Sequence, residues 1–353
     1  MRRLDRYIVS TVASAIILVM IVVLSLDLVF GFVAEIEDIK GNYQVVDALI
    51  YIFMTLPRRI YDYLPLGAFM GCLIGLGALA KNSELTVIRA AGVSIFRIAW
   101  AAMKPTFIVV LMSLALGEFV APLTEKIAQS QKALKRGAES GMVVGSGLWH
   151  KEGDSFVHIN AVEPNGALYG VSINYYDDSQ ILQRSVFAKR AIYERQRWQL
   201  IDVEESRFAG EGVSIVKERV ASWSTALTPE LLNILVVKPD NLSISGLHKY
   251  VLYLSDLGLS SGIYELAFWK KTLQPFSTVA LVFVAVSFVF GPMRSVAIGS
   301  RVFAGLLVGL SFKYVQDLLG PSSLVFGFEP VFASLTPSLI CVVIGLYLSR
   351  RAG

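Results

Sequence analysis

Few ionisable residues sit inside long apolar runs of this sequence, among them Asp27, Glu118, Lys313 and Asp317. A charge in hydrocarbon is costly, so each is a candidate for function by default. Lys313 and Asp317 stand four apart on one helical face, which suits either a self-neutralising pair or a role in transport. Asp27 and Glu118 lie near the ends of their runs and are expected to touch water. His150 and His158 are eight apart in a strand-like region and could share a face. They lack a third ligand, so no metal site is expected. The dipeptide Gly-Lys does not occur, so the chain has no P-loop of its own, and H-E-x-x-H is also absent. These residues do not describe an enzyme.

The most informative polar group falls between two apolar runs, in LAKNSELTVIRAAGVSIF, Leu79 to Phe96. A chain turning at a membrane surface needs only a handful of residues, yet this stretch is longer and has helical spacing. At about 100° per residue, Glu84 shares a sector with Val87, Ile88 and Ala91, while Leu85, Thr86, Arg89 and Ala90 cover the other side. Asn82 or Ser83 can cap such a helix, Glu84 complements its N-terminal dipole, and Gly92 suits its stop. Two uses fit: a key for a pocket on another protein, or an interfacial helix lying flat on lipid with Arg89 among headgroups. An acidic group on the apolar stripe fits protein contact better than an anionic surface.

The elements that must position these residues are mostly membrane spans. Of 353 residues, 54% are hydrophobic and 17% charged, with mean hydropathy +0.59; soluble domains carry about 25% charged residues. Runs of about 20 apolar residues suffice to span, and six emerge: Ile8 to Val33, Tyr61 to Ala80, Ile98 to Val120, Thr272 to Phe290, Val302 to Leu319 and Val331 to Leu348. The first is too long for a signal-peptide core and is expected to be retained. Val46 to Leu56 is too short to span, so Val46 to Ala80 is expected to form one long helix, kinked at Pro57 and Pro65. Cys72 and Cys341 lie in apolar runs and suggest no disulfide. No basic nucleic-acid face is present.

Arg2, Arg3 and Arg6, then Lys81, Arg89 and Arg97, then Arg294 and Arg301, and finally Arg350 and Arg351 all fall on one side of these spans. The positive-inside rule makes that side, with both termini, cytoplasmic. Arg58 and Arg59 run against the rule near the outer interface, where long side chains snorkel. Outside lies a polar helix, Thr124 to Ser140, then strand-like segments from Ser146 to about Val237 separated by turn signals. Eight to ten short strands in a sandwich or jelly roll are expected. Leu247, Tyr250, Val251 and Leu254 share one face of a returning helix. In the fifth span, Gly305 and Gly309 form G-x-x-x-G, a spacing that permits close helix approach. The expected fold is thus an α-helical membrane protein of six transmembrane helices with an inserted periplasmic all-β domain. Its divisions are residues 1–123, 124–245 and 246–353.

The order LDRYI, GLGALAKNSELTVIRAAG, a β domain, NLSISGLHKYV and SFVFGPMRSV resembles the LptF/LptG family of lipopolysaccharide export permeases over essentially the whole chain. The Ser83-Glu84-Leu85…Gly92 segment is specific to that family, and NLSISGLHKYV and FGPMRSV resemble its LptG branch more than its LptF branch. The resemblance implies a non-catalytic ABC-transporter subunit in the inner membrane of a Gram-negative bacterium. It implies pairing with an LptF-type permease above an LptB-type ATPase dimer, which holds the ATP and magnesium; this chain binds no cofactor. Residues 82–92 would be the coupling helix, with Ser83, Glu84, Leu85, Val87, Ile88, Arg89, Ala91 and Gly92 at the ATPase. The outer domain would be a β-jellyroll aligned with LptC and then LptA, carrying lipopolysaccharide. Leu26, Phe30 and Val33 on span one, and Val308, Phe312 and Lys313 on span five, would line lateral gates. One departure is the acidic outer end of span one, Glu35, Glu37 and Asp38 with only Lys40 basic. Either divalent ions bridge acid to lipid phosphate, or Arg58, Arg59 and Lys313 take the headgroup. Outside this family the rivals are an ion-coupled carrier and a membrane-anchored periplasmic scaffold.

Overall fold

The computed structural model describes residues 2–39, 42–135, 142–162, 166–177, 181–194, 196–209, 212–229, 232, 238–256, 260–290 and 298–352. The chain opens with α1 (Arg2–Ile36), α2 (Val45–Met54), α3 (Leu56–Lys81), the short α4 (Glu84–Ala90) and α5 (Ile95–Ala115). A π-helical turn, Leu116–Val120, leads into α6 (Ala121–Lys135), which rises to the β domain. After the sheet come α7 (Ile244–Asp256), α8 (Gly262–Phe290), α9 (Ile298–Phe326) and α10 (Pro330–Ala352). Six helical stretches are long and apolar enough to cross a membrane, and all six coincide with the expected spans. Arg294 and Lys40 lie outside the described residues, as do Gly291 to Val296 of FGPMRSV and the last residues of the polar helix expected to reach Ser140.

The long kinked helix expected before the second crossing is two helices, α2 and α3, separated at Thr55. Pro57 explains the position of the break, since it lacks an N–H and fits only the first turn of a new helix. Pro65 is accommodated inside α3.

α3 is the axis of the helical bundle, mostly buried from Leu64 onward. Its Gly67, Gly71 and Gly75 repeat every fourth residue and face α1. A side-chain carbon at Gly71 would overlap the Ile16 backbone, and one at Gly75 would lie 3.0 Å from the Val12 Cα. On another side of α3, the Gly305 and Gly309 spacing is used as expected: added carbons would lie 3.0 Å from Leu73 and 2.5 Å from Leu66. Association of helices in lipid gains little from the hydrophobic effect, so such close approach is a main source of packing energy. The sequence reading singled out the pair on α9 and missed the longer ladder on α3. By contrast, the outer faces of α1 (Ile17, Leu18, Ile21, Val29) and α9 (Phe303, Leu307, Leu318) are open.

The β domain is a single antiparallel meander among the described residues, in order β1 (Met142–Glu152), β2 (Ser155–Val162), β3 (Leu168–Tyr176), β4 (Leu182–Glu194), β5 (Arg197–Ala209) and β6 (Gly212–Trp223). The inserted all-β domain is as expected, with six strands among the described residues against the eight to ten foreseen; residues 230–231 and 233–237 lie outside them. The physical reason is length: β4, β5 and β6 have 13, 13 and 12 residues, about twice the usual strand. Their side chains alternate around a core of Val157, Ile159, Leu168, Val171, Ala188 and Trp198. The Trp198 indole donates to the Leu227 carbonyl at 2.7 Å.

His150 and His158 do not share a face. His158 pairs with Trp149 across the β1–β2 hairpin and His150 pairs with Val157, so successive β1 residues send the two rings to opposite sides. His158 stacks on Trp149 at 4.4 Å, whereas His150 is buried and stacks on Tyr253 of α7 at 6.3 Å. Burial holds the His150 imidazole below its usual pKa, against the pull of Glu152. Leu247, Tyr250 and Leu254 are the buried face of α7, as their spacing predicts.

Candidate functional site

α4 follows α3 after only Asn82 and Ser83. Ser83 takes the N-cap position at φ +63 and makes no side-chain cap bond, because reversing the chain in two residues demands a left-handed conformation there. The other end is a Schellman stop: the Val93 amide donates to the Ile88 carbonyl at 3.4 Å and the Gly92 amide to Arg89 at 2.9 Å. Gly92 has φ +84 and open space around it, so conformation and not room selects glycine.

The helical sectors read from the sequence need correcting. Leu85 and Ile88 are both buried in the chain's own core, while Thr86, Val87, Ala90 and Ala91 are exposed and Arg89 is half-buried. The helix therefore points two large apolar side chains inward and a small, nearly flat face outward. Two residues per turn suffice to fasten so short a helix, and the choice between Leu85 and Val87 depends on where α3 and α5 lie. Glu84 accepts from the Tyr7 hydroxyl at 2.8 Å and from Asn82 at 3.3 Å, which ties α4 to the start of α1. Arg97 forks onto Asp5 beside it, at 3.2 and 3.1 Å.

At the opposite end of α3 a cavity of about 500 Å³ opens between α1, α3, α6, α8 and α9. It brings together Arg58, Arg59, Phe312 and Lys313, four residues expected on the substrate path. Leu26, Phe30 and Val33 remain on the exposed face of α1, and Val308 packs half-buried against the bundle core. The cavity also holds Asp62, Glu125, Lys270 and Lys271, which sequence reasoning missed. The Lys270-Lys271 dipeptide just before the fourth apolar run was the available signal.

The charges in the cavity are mostly paired. Asp27 accepts from the Arg59 guanidinium and, at 2.8 Å, from the Tyr63 hydroxyl. It is thus held by protein groups while its side chain stays partly exposed on the cavity wall. Arg58 reaches Glu125 at 3.2 Å and Asp62 at 3.7 Å. Asp317 lies 3.9 Å from Lys313, as their spacing predicts, and 3.4 Å from Lys270. The buried Lys271 ammonium donates to the Leu242 carbonyl at 2.5 Å and sits 5.5 Å from the Tyr61 ring centre. Glu118 also has protein partners, accepting from the Ile244 and Ser245 amides at 2.8 and 3.3 Å.

The acidic outer end of α1 is partly compensated from within. Lys132 of α6 contacts Glu35 at 2.5 Å and Asp38 at 2.8 Å, and the Tyr43 hydroxyl donates to Glu35 at 2.8 Å. Burial works against the Lys132 charge, but Asp38 and Glu35 outweigh it and raise its pKa. Asp47 pairs with Lys135, which with the Gln44 amide holds its carboxyl below the usual range. Glu35 is 7% exposed, so it belongs to the interior and presents no acidic face to a ligand.

A G-x-S-x-G spacing occurs at Gly258 to Gly262. Its central serine is Ser260, and Gly258 and Leu259 lie outside the described residues. Among the described residues no cluster of three or more His, Cys, Asp or Glu is placed to hold a metal.

Residues 6–351 match the family described as lipopolysaccharide export system permease LptF/LptG. The chain is 36% identical over 352 residues to the lipopolysaccharide export system permease protein LptG of Escherichia coli K12, covering 99% of this chain and 98% of that protein. It is 33% identical over 351 residues to the LptG of Haemophilus influenzae, with the same coverage. Six membrane-length helices, an inserted β domain and a match along nearly the whole sequence agree: the chain is a membrane-embedded permease belonging to the LptF/LptG family of lipopolysaccharide export system permeases.

Proposed function

We propose that this chain is the LptG-type permease of an ABC transporter that extracts lipopolysaccharide from the outer leaflet of the inner membrane. In this reading the chain carries no nucleotide chemistry. An LptB-type ATPase dimer below supplies it, an LptF-type permease completes the cavity, and LptC and LptA continue the β domain outward. The ends bearing the termini and α4 are cytoplasmic, and the β domain is periplasmic.

The observation that carries the mechanism is that one helix joins the two candidate regions. α3 has 26 residues, about 39 Å of helix, with Arg58 and Arg59 in the cavity at its first turn and α4 two residues beyond its last. The outward face of α4 is Thr86, Val87, Ala90 and Ala91, too small an apolar surface to hold a helix on lipid but suited to a shallow protein pocket. Closure of the ATPases pushes α4, α3 transmits the movement, and the cavity narrows. Lipid A enters sideways, between the open faces of α1 and α9 and those of the partner permease. Extraction of the tagged chain from native membranes in mild detergent is expected to recover a second six-span permease, an ATPase dimer and a single-span β-jellyroll protein. Recovery of the chain alone, in good yield, removes this reading in favour of a carrier or scaffold.

Within the cavity, Arg58, Arg59 and Lys313 take the lipid phosphates by exchanging their internal carboxylates for the ligand. The engagement of Glu35 and Asp38 by Lys132 supports this over a divalent bridge at the end of α1. Replacing all three cations by Gln is expected to reduce photocrosslinking of lipopolysaccharide to cavity positions by about tenfold or more, at about 1.4 kcal/mol per decade. Unchanged crosslinking would overturn the assignment.

A further inference from the structure

We propose that Glu118 is a positioning residue that couples the membrane bundle to the β domain, by holding the first turn of α7 against the π-helical turn of the third span. The inference rests on the permease reading above and adds to it the route by which movement at the cavity reaches the β domain.

Glu118 lies in the π turn Leu116–Val120, between α5 and α6 of one continuous crossing. Such turns insert an extra residue and re-aim the side chains that follow, often where function needs it. The Glu118 carboxylate accepts the Ile244 amide at 2.8 Å, the Ser245 amide at 3.3 Å and the Ser245 hydroxyl. These amides are at the start of α7, where the N–H groups have no partner in their own helix and the dipole favours an anion. Ser243 caps the Gly246 amide locally at 3.1 Å, and Glu118, 126 positions away, takes the two amides before it.

Both ends of this contact lead onward. Gly117, next to Glu118, lies under Tyr61 of α3, where an added side-chain carbon would be 2.5 Å from the Tyr61 ring. Tyr61 lines the cavity, and its carbonyl accepts from Gln274 of α8 at 3.2 Å. At the far end of α7, Tyr253 stacks on the buried His150 of β1, its hydroxyl 3.5 Å from the His150 Nε2. Tyr250 packs edge-on against Tyr264 of α8 at 4.4 Å. A shift of α3 against the π turn therefore moves the cap of α7, and α7 carries it to the first strand of the sheet. One carboxylate thus holds two of the first three amides of α7, so removing it loosens the helix end while the Ser243 cap, the bundle and the sheet core remain.

The test uses the whole complex with Glu118→Ala, Glu118→Gln and Glu118→Asp. Hydrogen exchange at the Ile244 and Ser245 amides is expected to quicken at least fivefold in Glu118→Ala, and less in Glu118→Asp, which keeps the charge. Lipopolysaccharide delivered to the β domain per ATP hydrolysed is expected to fall at least fivefold in Glu118→Ala. Complex yield, ATPase rate and lipid loading of the cavity should stay within twofold, and Glu118→Asp should recover much of the delivery. A merely structural role would lower yield, hydrolysis and delivery together and would overturn the proposal. Unchanged exchange, or unchanged delivery per ATP, would overturn it too. Failure of the parent complex to move lipopolysaccharide with ATP would instead remove the permease mechanism itself, while the exchange result would still report on the cap.

Discussion

Glu84→Ala is expected to lower lipopolysaccharide export by at least about tenfold and to reduce the ATPase recovered with the chain. Loss of one partner of a desolvated charge pair at an interface costs about 2–5 kcal/mol, which is more than a decade in affinity. The fold itself should tolerate the change, because Leu85 and Ile88 anchor α4 and Gly92 ends it by backbone bonds. Glu84 also accepts from Tyr7, so a control must separate an internal bond from an external one. Tyr7→Phe removes only the former and should cost about 1 kcal/mol or less. Glu84→Gln keeps an acceptor for Tyr7 but loses the charge, and should resemble Glu84→Ala. Export and complex yield that stay normal in Glu84→Ala would remove α4 from its coupling role. Equal losses in Tyr7→Phe and Glu84→Ala would reassign the carboxylate to holding α1.

Gly71→Leu should have the largest effect on the fold. Its first side-chain carbon would overlap the Ile16 backbone, and α1 and α3 can relieve that only by separating along their shared length. Overpacking a core typically costs 1–3 kcal/mol and more where backbone must move, so about 3 kcal/mol or more is expected. Gly75→Ala is the graded comparison, since its added carbon would lie 3.0 Å from the Val12 Cα, where a shift of a few tenths of an ångström suffices. Thermal unfolding in detergent, followed by the fraction remaining monodisperse, should rank Gly71→Leu far below Gly75→Ala and the parent. Equal melting of all three would mean that the close contact between α1 and α3 does not hold the bundle together.

The periodic features of the sequence were legible. Apolar length marked the six spans, Gly92 marked the end of α4, and Leu247, Tyr250 and Leu254 marked the buried face of α7. Strand-like character from Ser146 onward was also plain, but the number of strands was not. Charged residues such as Glu204, Glu205 and Lys217 continue β5 and β6 and bond on the sheet surface, so polarity there did not mean a turn. The family-specific segment around Glu84 identified the helix, but which of its apolar residues faces inward could not be read from spacing alone. Leu85 and Val87 both have periodic neighbours, and only the positions of the surrounding helices bury the first and expose the second.

What the sequence by itself determined is whatever depends on neighbours within a few turns: spans, the glycine stop of α4, strand alternation and the spacing of small residues on one face. The tertiary structure alone decided how charges far apart in the chain are matched. Asp27 meets Arg59, Glu35 and Asp38 meet Lys132, and Glu118 meets the start of α7. Each of these carboxylates reads as exposed or out of place in the sequence, yet each is satisfied in the fold. The reason is that desolvation makes an unpaired charge costly wherever it is buried, whereas nothing in local periodicity encodes the partner that removes the cost.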